Sequence, residues 1–263
     1  MVNRYLKRIY TALIYLFLYA PILILIIFSF NASKSRGNWS GFTLKWYLEL
    51  FQDRQIMKAL SNTMIIAILS SGIATIIGTA AAIGIHNMKR FKKAIMMNLT
   101  YLPVVNPDIV TGLSLMILFI FTNFQLGFLS LLLSHITFNI PYVILSVLPK
   151  LKQLDKHLYE AALDLGATPL YAYRKVILPE IMPGVITGLL LAFTLSVDDF
   201  VISFFTTGSG VSTLSITIYS MARRGINPKI NALSTLLFLT VLLLLIIVNF
   251  RMSGEKIKKE REI

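Results

Sequence analysis

Long apolar runs, separated by shorter polar segments, dominate the sequence. A helix needs about 20 mostly apolar residues to cross a bilayer, and six runs meet that length. They cover residues 9–30, 62–85, 94–122, 127–148, 184–206 and 231–250. This pattern predicts an all-α membrane protein with six transmembrane helices, forming a single transmembrane domain over residues 1–263.

Two runs differ from plain lipid-facing helices. Run 62–85 is rich in Gly, Ala and Ser, whose small side chains let helices approach closely in lipid, so it predicts a helix buried among others. Run 94–122 is interrupted by Pro103 and Pro107, with Asp108 beside the second proline. Irregular backbone and a charge at that depth need protein or water around them.

The segment between the first two runs, residues 31–58, is mixed and polar and holds both tryptophans of the chain. Tryptophan favours a membrane–water interface. The segment predicts an external loop, which is either a plain linker or carries a short surface helix near residues 43–51.

A polar-bearing segment at residues 160–179, here called the elbow, lies between two apolar runs. Glu160 to Leu165 predicts a helix, and Gly166 offers the left-handed conformation that ends one. Pro169 suits the first turn of a second helix over residues 170–177. Pro179 is predicted to end that helix.

The elbow resembles the EAA signature of ABC importer permeases, in which Glu-Ala-Ala precedes a glycine and a distal Leu-Pro. The matching residues are Glu160, Ala161, Ala162, Gly166, Leu178 and Pro179, with Val176 where isoleucine is usual and Asp164 inside the motif. The resemblance implies a type I importer permease of MetI-like fold, whose coupling-helix loop (residues 150–182) seats in a cytoplasmic ATPase. An ordinary amphipathic loop helix is the alternative.

Composition and charge agree with a membrane protein. Hydrophobic residues make up 56% of the chain and charged residues 14%, against about 25% in soluble domains. The net charge is +13, but its lysines and arginines lie between apolar runs, which favours a topology signal over nucleic-acid binding. Seventeen of the 25 lysines and arginines lie on one side of the predicted spans, the side that holds both termini and the elbow, and eight lie on the other. The richer side is predicted to be cytoplasmic.

No phosphate-binding Gly-Lys-Ser/Thr motif occurs in the sequence, so we expect no ATPase site, no enzymatic activity and no cofactor in this chain. ATP and Mg²⁺ would belong to a separate ATPase. The chain also lacks an internal duplication, which predicts a second, similar permease that completes the pathway. Without cysteine, no thiolate metal site is possible.

Three acids fall inside the predicted spans, namely Asp108, Asp198 and Asp199, and no lysine or arginine does. A carboxylate at the bilayer centre costs about 2.5–3.5 kcal/mol, so it persists where it faces a pathway or a partner. These acids predict a cationic substrate, with Tyr219 among the aromatic residues that add cation–π attraction. Capping of broken helices is the structural alternative.

Motifs such as Asn-Pro-Asp-Ile-Val (106–110) and Phe-Thr-Leu-Ser-Val-Asp-Asp (193–199) resemble the PotC-type family of spermidine/putrescine permeases. The resemblance implies a bacterial inner-membrane permease that works with a PotB-like permease, a PotA-like ATPase dimer and a PotD-like external binding protein. Permeases for other solutes and secondary carriers remain alternatives. An intramembrane protease built on Ser209 and His135 lacks its surrounding pattern, and His135 is predicted to be a neutral, hydrogen-bonded residue.

Overall fold

The computed structural model describes residues 4–34, 38–155, 157–224, 228–240 and 242–243. Its named helices are α1 (Arg4–Ser29), α2 (Lys45–Gln52), α3 (Arg54–His86), α4 (Arg90–Val105), α5 (Asp108–Phe121), α6 (Phe128–Gln153), α7 (His157–Asp164), α8 (Pro169–Ala172), α9 (Leu178–Asp198), α10 (Val201–Thr206) and α11 (Leu214–Arg223), with a π-helical turn at Tyr173–Ile177. Residues 228–240 are also helical. The contacts divide the chain into two compact units.

The first unit comprises Met1–Met57 and Ile218–Ile263. Its α2 confirms the predicted short helix after the first span. Trp46 is buried and its indole N–H donates to the carbonyl oxygen of Asn31 at 2.7 Å. The ammonium of Lys229 lies 3.3 Å from a carboxylate oxygen of Asp53 and 3.6 Å from one of Glu49. These contacts attach two segments to α2, namely the loop after α1 and the helix that begins at residue 228.

The second unit, Lys58–Thr217, is built on α3, α6 and α9. Val143 of α6 lies between two glycines: a Cβ at Gly78 would be 2.7 Å from the Val143 Cβ, and one at Gly188 would be 3.3 Å from its Cα. The close approach predicted for the small residues of α3 is therefore confirmed. Around it packs a core of Ala82, Ile85, Ile144, Val147, Leu148, Leu151, Ile177, Ile181 and Ala192.

The direction of the three helices follows from two levels of contact. Gly78 and Gly188 meet Val143 at one level. Ser70 and His135 both meet Ser196 at another. The second level is reached by going back along α3 and α6 but forward along α9, so α9 runs antiparallel to the other two. The level of Ser70 is near the middle of the 33-residue α3.

Four helical stretches of the described residues are long and apolar enough to cross a membrane, or five if a bent pair counts as one span. That pair is α4 and α5, which meet at 104°. The predicted third span is thus two helices, and the interruption falls at Asn106–Pro107. Proline cannot continue the hydrogen-bond ladder, and the residue before it is pushed out of the helical region. Only residues 231–240 and 242–243 of the predicted sixth span, 231–250, are described.

One prediction about the elbow is wrong. Pro179 does not end a helix but lies in the first turn of α9, and the helical path from Pro169 to Asp198 runs for 30 residues. Proline has no backbone N–H to donate, so the path continues through Pro179 without a hydrogen bond from this residue. Just before it, the N–H of Leu178 bonds to the carbonyl oxygen of Tyr173, five residues back, which makes the wide π turn.

The Gly78–Val143 contact predicts a strong position dependence of Gly→Ala substitutions on α3. Gly78→Ala forces overpacking against Val143 and should cost about 1–3 kcal/mol of stability, lowering the Tm of the purified protein in lipid nanodiscs. Gly72→Ala on the same helix meets no atom of the described residues within 4 Å. It should be neutral or stabilising by up to about 1 kcal/mol, since alanine is the better helix former. Equal Tm values for the two variants would contradict the packing.

Candidate functional site

The elbow begins inside α7 and turns at Gly166. This glycine has φ +85°, and the N–H of Ala167 bonds to the carbonyl oxygen of Ala162 at 3.1 Å while that of Gly166 bonds to Leu163 at 2.8 Å. This hydrogen-bond pair is the Schellman ending of a helix. Thr168 then caps α8, whose first residue is Pro169. The predicted helix end and restart are confirmed.

The inner face of the elbow is attached to the core of the second unit. Leu158 and Tyr159 of α7 pack against the core, as does Tyr173 of the π turn. The rings of Tyr159 and Tyr173 are 4.9 Å apart. The Asn87 side-chain amide donates to the Tyr173 hydroxyl at 2.8 Å. The elbow is thus tied to the chain just after α3 and continues into α9.

The outer face of the elbow is apolar and uncovered. Leu165 is 89% exposed and Leu170 is 78% exposed. A shallow depression beside them is lined by Ala162, Leu165, Gly166, Ala167, Thr168, Tyr171 and Val176. Of the signature residues, Glu160, Ala161, Asp164, Gly166 and Pro179 are exposed, whereas Ala162 and Leu178 are half-buried. A contiguous exposed apolar patch with polar residues around it is typical of a protein-docking site.

The three predicted pathway acids occupy different electrostatic positions. Asp108 is the exposed first residue of α5, and a carboxylate at a helix N-terminus is stabilised by the helix dipole. Gly112, one turn further, packs against Val201 and Ile202 of α10. The start of α5 therefore lies near the break between α9 and α10.

Asp199 lies at that break and is 6% exposed at its side chain. Its two carboxylate oxygens accept the N–H groups of Ile202 at 3.1 Å and Ser203 at 2.7 Å. These are first-turn donors of α10, which have no partner inside the helix. Asp199 thus has the capping role that the sequence left open as an alternative.

Asp198 has no such structural role. It is the last residue of α9, it is exposed, and its carboxylate has no hydrogen bond or ion pair among the described residues. The C-terminal end of a helix carries partial negative charge, so a carboxylate there is unfavourable for stability. Asp198 and the C-terminal end of α9 therefore both contribute negative charge at the helix break.

His135 of α6 faces this break and is 1% exposed. Its Nδ1 lies 2.5 Å from the Ser196 hydroxyl, and its Nε2 lies 3.1 Å from the Ser203 hydroxyl and 3.5 Å from Asp199 Oδ2. The predicted hydrogen-bonded histidine is confirmed. The Ser196 hydroxyl also lies 2.9 Å from that of Ser70 on α3.

No sequence motif connects Ser70, Ser196 and Ser203 with His135. A signal was present within α9–α10, because Ser196, Asp199 and Ser203 recur at helical spacing on one face. The partner helices were not readable, since Ser70 and His135 come from runs distant in sequence.

Tyr219, the fourth predicted pathway residue, is on α11 and is 41% exposed. The guanidinium of Arg223 lies 5.9 Å from the centre of its ring. Tyr219 belongs to the first unit and the three acids to the second. Its role in a substrate pathway stays a prediction.

Solved structures share this fold. A chain of a bacterial ABC transporter involved in the import of the acidic polysaccharide alginate matches with a TM-score of 0.72 at 18% identity, covering 93% of this chain and 92% of that one. A chain of the MetNI methionine ABC transporter in inward-facing conformations gives 0.59 at 20% identity, covering 75% and 95%. The fold of this chain is therefore that of the membrane subunits of ABC importers, as the sequence predicted.

Residues 74–253 match the binding-protein-dependent transport system inner membrane components, and the chain belongs to this family. It is 42% identical over 246 residues to the spermidine/putrescine transport system permease protein PotC of Escherichia coli K12, covering 94% of this chain and 93% of the relative. The putrescine permease PotI of the same organism is 43% identical over 231 residues, covering 84% and 81%. PotC of Haemophilus influenzae is 36% identical, covering 92% and 95%.

The contrast between the adjacent acids predicts unequal effects of their substitution on stability. Asp199→Ala leaves two first-turn donors of α10 unsatisfied and should cost about 1–3 kcal/mol. Asp198→Ala removes a charge from a negative helix end and should change stability by less than about 0.5 kcal/mol or raise it slightly. Thermal unfolding of both purified variants in nanodiscs measures the difference, and a greater loss for Asp198→Ala would contradict these assignments.

Proposed function

We propose that this chain is the permease subunit of an ATP-driven ABC importer that takes up polyamines, and that it forms half of the translocation pathway. The observation that carries the proposal is the exposed Asp198 at the C-terminal end of α9. The curated relatives with 36–43% identity are permeases of spermidine and putrescine systems, and these substrates are cations.

The electrostatics of the break favour a cation over an anion. The Asp198 carboxylate adds to the negative end of α9, and Asp108 is carried on the helix that packs beside α10. An ammonium group is held by charge-assisted hydrogen bonds to such carboxylates. Because the break is level with the middle of α3, the irregular backbone must line a protein or water environment in the membrane.

The elbow supplies the connection to an ATPase. Its exposed Leu165 and Leu170 would enter a groove of a PotA-like ATPase dimer on the cytoplasmic side, with both chain termini on that side. A PotB-like second permease would complete the pathway, and a PotD-like binding protein would deliver the substrate from outside. ATP and Mg²⁺ would bind only to the ATPase, which supplies the energy.

A single helical path links the outer face of the elbow to Asp198. The 30 residues from Pro169 to Asp198 correspond to about 45 Å of helix at 1.5 Å per residue. Closure of the ATPase dimer would move the elbow, and α9 would transmit that movement to its far end at Asp198. The pathway would then open outward, and hydrolysis would reset the inward-facing state.

Other functions within reach of this fold are a permease for another small solute and, outside the family pattern, a secondary carrier. Co-purification of an ATPase with the tagged chain separates an importer subunit from a carrier. Competition of labelled spermidine uptake by putrescine and by uncharged solutes then tests the substrate class. Uptake that is insensitive to polyamines would contradict the proposed substrate.

Asp198→Asn should raise the apparent KM for spermidine about tenfold or more, because a hydrogen bond to a charged group is worth about 1.5–3 kcal/mol and 1.4 kcal/mol corresponds to tenfold. Asp198→Glu keeps the charge and serves as the matched control. Uptake into proteoliposomes that contain the whole complex gives the measurement. Unchanged kinetics in Asp198→Asn would remove this residue from the pathway.

Gly166→Val should uncouple ATP hydrolysis from uptake. No described residue lies within 4 Å of a Cβ at this position, so the penalty comes from the left-handed backbone, about 1–2 kcal/mol for a side chain that disfavours it. Asn tolerates that conformation, and Gly166→Asn should couple nearly normally. The ratio of substrate imported to ATP hydrolysed is the readout, and normal coupling in Gly166→Val would contradict the role of the elbow.

A further inference from the structure

We propose that His135 is a positioning residue that fixes the break between α9 and α10 and so sets the place of Asp198. This role rests on the proposed function, in which Asp198 meets the substrate. His135 does not itself contact the pathway, because its side chain is 1% exposed.

The imidazole contacts the chain on both sides of the break. Nδ1 reaches Ser196, which is two residues before Asp198 on α9. Nε2 reaches Ser203 on α10. Between these points the backbone leaves the helix, with Asp199 at φ −61° and ψ 127°. One rigid ring on α6 therefore holds together two helices that no continuous backbone hydrogen bonds join.

The carboxylate of Asp199 extends the contacts of the ring. Asp199 Oδ2 lies 3.5 Å from Nε2, on the same side of the ring as the Ser203 hydroxyl. On the other side, the Ser196 hydroxyl contacts both Nδ1 and the Ser70 hydroxyl, the latter at 2.9 Å. The contacts run from α3 through α9 and α6 to the Asp199 cap of α10.

Loss of a hydrogen-bond partner among His135 and the serines around it is costly because these side chains are buried. Ser70, Ser196 and Ser203 are buried, and a buried polar group without a partner loses its hydration with no compensation. Each residue of the network therefore restrains its neighbours to one arrangement. Asp198 is excluded from the network and exposed, so the restraint fixes its backbone while its carboxylate stays available.

Cysteine labelling tests the positioning without reference to substrate. The chain contains no cysteine, so Asp198→Cys introduces a unique thiol whose reaction with a polar maleimide is followed on this chain by mass. In the assembled complex, His135→Gln should keep the contacts to Asp199 and Ser203 but lose the contact to Ser196. His135→Phe should lose all three contacts. We expect the labelling rate at position 198 to rise at least threefold in His135→Phe, with a smaller rise in His135→Gln.

Glu180→Cys, at the opposite end of α9, is the matched control and should label at the same rate in all backgrounds. The proposal would be overturned if, in both His135 variants, the labelling rate at position 198 stays within twofold of the rate with His135 intact. If His135→Phe does not assemble, His135→Gln with the control site decides the result.

A kinetic cycle separates positioning from general stability. His135→Gln should raise the apparent KM for spermidine about threefold or more, with the maximal rate less affected, and should have no further effect when combined with Asp198→Asn. Equal effects of His135→Gln in the two backgrounds would overturn positioning through Asp198. If Asp198→Asn alone leaves uptake unchanged, the proposed substrate role of Asp198 fails, and the labelling result still decides whether His135 fixes the break.

Discussion

The close approach of three helices at Val143 is the contact on which the second unit depends. Gly78 of α3 and Gly188 of α9 both face this side chain, and neither position has room for a Cβ at ordinary van der Waals distance. Within a bilayer, lipid tails are as apolar as the side chains, so helix association depends on such packing and on hydrogen bonds between helices. The same approach brings Ser70, His135 and Ser196 within hydrogen-bond distance, two turns away along each helix.

Local rules predicted much of the fold. The apolar runs correctly located helices within the described residues, although runs 94–122 and 184–206 are each divided into two helices. Gly166 and Pro169 correctly marked the end of one elbow helix and the start of the next. These features depend on residues adjacent in sequence. Pro179 is the exception, because a proline that follows a wide turn inside a helical path and a proline that ends a helix look alike in the sequence.

The candidate site could be predicted only in part, because its contacts join residues that are distant in sequence. The three acids were found because charge within an apolar run is conspicuous. Their separate roles depend on which end of which helix each one occupies. Asp199 meets the free amides of α10, Asp108 starts α5, and Asp198 ends α9. The partners of His135 could not be predicted, because they require the packing of α3, α6 and α9 against one another.

The π turn at Tyr173–Ile177 gives the path from the elbow to Asp198 a particular angular setting. An α-helix rotates by about 100° per residue, and a π turn accommodates one additional residue within otherwise helical backbone. The elbow and the far end of α9 are therefore held in a defined phase around the helix axis. Gain or loss of a single residue in this stretch would rotate the outer face of the elbow around the axis while hardly changing its distance from Asp198. The number of residues there therefore sets the direction in which a movement of the elbow acts on α9.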